Sequence, residues 1–65
     1  MMDNRELPIG FVMSLAMDNE AMQTYSNLSE ETRMHIVDYV SVPTEGNEGK
    51  HRIEDVVHKL HNHMY

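Results

Sequence analysis

The chain has 65 residues, no cysteine, 25% charged residues and a formal net charge of −6. Disulfides and thiolate metal sites are thereby excluded, and a chain this short holds one domain with a thin core. The acidic balance argues against nucleic acid as the main partner, because phosphate contacts dominate such affinity.

The charge is uneven along the chain. Met1 to Glu48 carries nine acids against two bases, −7, whereas Gly49 to Tyr65 carries three bases against two acids, +1, and four of the five histidines. Residues 1–7 read as a flexible N-terminal lead-in. Met1 to Glu6 is polar and acidic and lacks a basic n-region and a small-residue cleavage site, so a signal peptide is not expected. The missing cysteine suits a reducing compartment, and a cytoplasmic location is the expectation.

Pro8 fits the start of a first helix, where its missing N–H costs nothing. Ile9, Val12, Met13, Ala16 and Met17 follow helical spacing, and Phe11 and Leu15 fall on a second side. A helix apolar nearly all round is usually buried, so this one is expected at the centre of the fold. The stretch from Ile9 to Met17 is too short to span a bilayer, and no membrane insertion is expected.

Asp18–Asn19 breaks the pattern and can cap a second helix over about Glu20 to Ser26, with Ala21, Met22 and Tyr25 on one face. Ser29 is the N-cap expected for a third helix, about Glu30 to Ser41. Glu30 and Glu31 in its first turn favour the macrodipole, and Leu28 stands in the position of a hydrophobic staple. The run Val42 to Gly49 holds a proline, an asparagine and two glycines and reads as a loop. A last helix follows, about Lys50 to His61, with Ile53, Val56, Val57, Leu60 and Met64 as one apolar stripe. The fold class expected is all-α: a compact bundle of four short helices, the first central, forming one domain over residues 8–64.

Several of these segments resemble the bacteriocin-protection, YdeI/OmpD-associated family. The resemblance is carried by Leu7–Pro8 before an apolar helix, then Ala16–Met17–Asp18–Asn19–Glu20–Ala21, then Tyr25–Ser26–Asn27–Leu28–Ser29. It resumes at Arg52–Ile53, with Val57 and Leu60 behind, and spans about Leu7 to His61. The chain also looks like short stand-alone bacterial relatives that begin Leu-Pro-Ile-Gly-Phe. The family's linker carries basic positions that here are Pro43–Thr44 and Glu48–Gly49; of that basic set Arg52 survives, with Lys50 nearby. The resemblance implies a helical fold and a link to resistance against cationic antimicrobial peptides, and it implies no known chemistry.

Two features carry candidate sites. On the last helix His51, Asp55 and His58 stand at i, i+4 and i+7, so they share a face. Imidazole and carboxylate groups at that spacing can hold Zn²⁺ or a similar divalent ion, and these three are the candidate metal ligands. The same residue types also make an ordinary solvated helix face, and a structural zinc site wants four ligands. Methionine is the second feature, with seven in the chain. Flexible thioethers fill irregular cores and also line adaptable contact surfaces. The first helix has more apolar surface than so small a chain covers easily, and Phe11 and Leu15 are the candidate interaction residues for self-association or a protein partner.

No catalytic residue is assigned. The chain has no cysteine nucleophile and no glycine-rich phosphate loop, and its serines fit cap or helix-surface positions. No cofactor is expected. The function expected is a small non-catalytic interaction or regulatory domain of bacterial cytoplasm, linked through the resemblance to envelope or antimicrobial-peptide stress. The alternative is a metal- or pH-responsive module built on the histidines of the last helix.

Overall fold

The structure is a computed structural model that describes residues 7–43 and 46–65. Four helices follow in chain order: α1 (Ile9–Ala16), α2 (Asn19–Asn27), α3 (Glu30–Ser41) and α4 (Glu48–His61). No strand occurs among the described residues, so the fold is an all-α bundle of four short helices. The Cα radius of gyration is 11.4 Å, close to the ~11 Å of a closely packed chain of this length. The proposed lead-in lies outside the described residues except for Leu7.

Two of the four helices, α2 and α3, begin at a side chain that caps a free N–H group, and α1 and α4 begin without one. Pro8 is the N-cap of α1 rather than its first turn, and its carbonyl accepts from Phe11 N–H at 3.0 Å and Val12 N–H at 3.1 Å. Asp18 caps α2 by accepting from Ala21 N–H at 3.1 Å. Ser29 caps α3 by accepting from Thr32 N–H at 3.2 Å. Helix α4 starts at Glu48, earlier than the glycine-rich sequence suggests. Gly46 takes a positive φ of 64° in the turn before it, and Glu48 pairs with Arg52 at 3.5 Å one turn on.

The core joins Phe11 and Leu15 of α1, Ala21 of α2, Ile36 and Val40 of α3, and Val56 and Leu60 of α4. Phe11 meets Tyr25 edge to face, with ring centroids 5.6 Å apart, a geometry that the ring quadrupoles favour. The apolar stripe of α4 lies along this core, with Ile53 and Val57 partly buried beside it. Met64, read from sequence as part of that stripe, is exposed because the helix ends at His61.

Helix α4 holds the central position and packs broadly against α1, α2 and α3. The expectation of a central first helix is therefore corrected. Helix α1 buries the side that carries Phe11 and Leu15 and leaves the opposite side open: Ile9 is 77% exposed, Met13 57% and Met17 85%. The physical reason is supply. The partner helices are short and offer enough apolar surface to cover one face of α1.

Candidate functional site

The structure places the two candidates read from the sequence differently, one buried and one exposed. Phe11 is fully buried and Leu15 nearly so within a single chain. They are core residues and cannot present a contact to a partner, so the interaction assignment to this pair is corrected. His51, Asp55 and His58 are exposed. Asp55 is engaged by Lys59 at 3.3 Å, and His58 Nε2 lies 3.4 Å from Asn62 Nδ2. Among the described residues no group of three or more His, Asp or Glu side chains is arranged to hold a metal ion.

The histidines that find carboxylates are others. His61, on the last turn of α4, places Nδ1 at 3.0 and 3.1 Å from the two oxygens of Asp18, the cap of α2. His63 places Nε2 at 2.6 Å from Glu20 Oε2 and Nδ1 at 3.1 Å from the hydroxyl of Thr24. Together these contacts fasten the C-terminal end of α4 to the N-terminal half of α2. The hydrogen bond and charge of Asp18 raise the His61 pKa above its ordinary value. The His61 contact in turn lowers that of Asp18, helped by the Ala21 N–H.

The backbone helps to aim this clasp. His63 has a φ of 56°, the left-handed conformation that non-glycine residues rarely take. It ends α4 in a Schellman motif: His63 N–H donates to Leu60 C=O at 3.1 Å, and Met64 N–H donates to Lys59 C=O at 2.9 Å. That reversal turns His63 back onto α2. Sequence reasoning could place four histidines near the chain end, but the carboxylate partners of His61 and His63 lie about forty positions earlier and no local spacing shows them.

The two described arginines are also spent on structure. Arg52 lies over the Tyr39 ring at 4.7 Å and donates to Tyr39 C=O at 3.0 Å, and Arg33 donates to Ser26 C=O at 3.4 Å. Each thus answers a carbonyl in the last turn of a helix, where a cation suits the dipole. Among the described residues they build no continuous basic surface.

The remaining conspicuous surface is apolar. Ile9, Met13 and Met17 stand at i, i+4 and i+8 on the outer side of α1, with Val12, 41% exposed, beside them. Next to this ridge an open groove of about 630 Å³ runs between the start of α1 and the end of α3. Leu7, Pro8, Ile9, Val12, Val40 and Ser41 line it. Sequence periodicity marks these residues as apolar but does not say which side of a doubly apolar helix faces out. Among the described residues no helix is long and apolar enough to cross a membrane. No known family, no curated protein and no solved structure matches the chain.

Proposed function

We propose that the chain is a small non-catalytic interaction domain of bacterial cytoplasm, and that the outer side of α1 is its contact surface. The observation that carries the reading is the exposure of Ile9, Met13 and Met17 on a helix whose other side is already committed to the core. Leu7, Ile9, Val12, Met13 and Met17 together expose on the order of 500 Å² of apolar side chain. The largest apolar patch on a typical monomer is about 300–600 Å² and is often functional. Here it occupies about a tenth of an accessible surface of 4814 Å², the share that a standard interface takes on a small protein. The two exposed methionines suit such a role, because unbranched thioethers repack against different shapes. A link to envelope or antimicrobial-peptide stress rests on the resemblance of Leu7–Pro8, Ala16 to Ala21 and Tyr25 to Ser29 to the YdeI/OmpD-associated pattern.

The test is capture from bacterial lysate on tagged protein, comparing the wild type with Met13→Glu. A charge at this exposed position should leave the fold intact and interrupt the apolar face. Equal capture of every partner by both proteins would reject the assignment.

A second reading, pH response through the last-helix histidines, is favoured by the His61–Asp18 pair. His61 faces Asp18 directly, with Glu20 adding a weaker attraction from the same helix. Its test is a histidine chemical-shift titration, in which His61 titrates above the ordinary value of 6.5. A His61 midpoint at or below the ordinary value of 6.5 would remove this reading.

A further inference from the structure

The outer face of α1 invites the question of what covers it. Between Leu7 and Met17 there is no charged side chain, the longest such run in the chain. Asp18, which follows the run, is held by His61 and by the Ala21 N–H. A partner recognised through basic residues would find no carboxylate on α1 itself. An anionic membrane surface would be repelled by a chain of charge −6. A surface without charge fits best against another surface without charge.

We propose that this face docks against the same face of a second copy, giving a two-fold dimer; the inference rests on the interaction reading above and names its partner. A two-fold contact requires a patch that complements itself. This patch supplies both shapes: the Ile9–Met13–Met17 ridge, and the groove beside it between Val12 and Val40. The ridge runs along an i±4 row, and two such rows interdigitate when helices cross at about −50°. In that crossing the ridge of each copy enters the groove region of the other, so one interaction is made twice. Two patches bury on the order of 1,000 Å² in total, at the lower limit for a specific interface. That size predicts a reversible dimer, not a permanent one. It also lets copies with like net charge meet through a helix that itself carries no charge.

The experiment is sedimentation equilibrium over a concentration series on three proteins: wild type, Met13→Glu and Gln23→Glu. The control places the same charge on an exposed position of α2. The wild type should show a monomer–dimer equilibrium in the micromolar range. Met13→Glu should weaken it about a hundredfold, because two carboxylates then face each other near the two-fold axis in an apolar contact. Gln23→Glu should leave it unchanged. Circular-dichroism melts at dilution should show Met13→Glu as stable as the wild type, which separates a lost contact from a lost fold. A wild type that stays monomeric at millimolar concentration overturns the proposal, as does a Gln23→Glu protein that dissociates as far as Met13→Glu. If the wild type is monomeric while Met13→Glu still loses a lysate partner, the second copy is rejected and the interaction reading stands. If neither effect appears, both fall.

Discussion

Single residues at helix ends decide much of this small fold. Ser29 accepts from Thr32 N–H and begins α3, which supplies three buried residues. Ser29→Ala removes that acceptor and should cost about 0.5–2 kcal/mol, read as a fall in melting temperature. His63 poses the opposite case. Its left-handed backbone costs roughly 1–2 kcal/mol for a residue with a Cβ, while its exposed contact with Glu20 returns about 0–1 kcal/mol. His63→Gly loses the contact and the strain together and should leave stability unchanged or slightly higher. His63→Ala loses the contact and keeps the strain, and should melt below the glycine variant. Equal melting of the two variants would show that the left-handed turn carries no cost.

The His61–Asp18 pair adds a pH dependence whose sign follows from its two shifts. The His61 pKa is raised, so its contribution is present below the unfolded value of about 6.5 and is lost as pH rises through the higher folded value. The Asp18 pKa is lowered, so its contribution is present above the ordinary carboxylate value of 3.8 and is lost as pH falls through the lower folded value. The pair therefore stabilises most between these limits, in mildly acidic solution. Asp18→Asn should return the His61 midpoint toward 6.5, followed by NMR. An unmoved midpoint would break the link between the two residues. The sequence displays each member of this pair but not the pairing, because it forms only when the end of α4 packs on the start of α2.

At the scale of elements, what was legible follows from how local the cause is. The Asp18 and Ser29 caps, the extent of α3 and the buried stripe of α4 were readable, since each depends on neighbours within one or two turns. The central helix was not. Helix α1 is apolar on both sides and short, whereas α4 has one clean stripe on fourteen residues. Its length lets α4 meet all three others, and its stripe meets the buried side of α1, so the most apolar helix ends up with one face outside. Truncation costs should follow the same order. Leu60, fully buried on α4, should lose about 2–5 kcal/mol on substitution by alanine, a large share of the stability of a domain this small. Met17→Gln on the open side of α1 should stay within about 0.5 kcal/mol. Urea denaturation measures both. A Met17→Gln protein as unstable as Leu60→Ala would mean that the outer side of α1 is covered even in the monomer.

The whole molecule is small on the scale over which its charges act. Its extents are 31 × 28 × 18 Å, against a Debye length of about 10 Å at 0.1 M salt and about 30 Å at 0.01 M. At low salt, two copies of charge −6 that meet through the α1 face feel each other's acids across most of their volume, and association is opposed. At physiological salt most of that repulsion is screened, while the apolar contact itself is little changed. Dimerisation should therefore strengthen as salt rises from about 0.01 to 0.15 M. A contact made through opposite charges responds in the other direction, because screening weakens attraction as it weakens repulsion. Sedimentation equilibrium across that salt range distinguishes the two. Dissociation on adding salt would point to an ion-paired interface elsewhere on the surface and away from Ile9, Met13 and Met17.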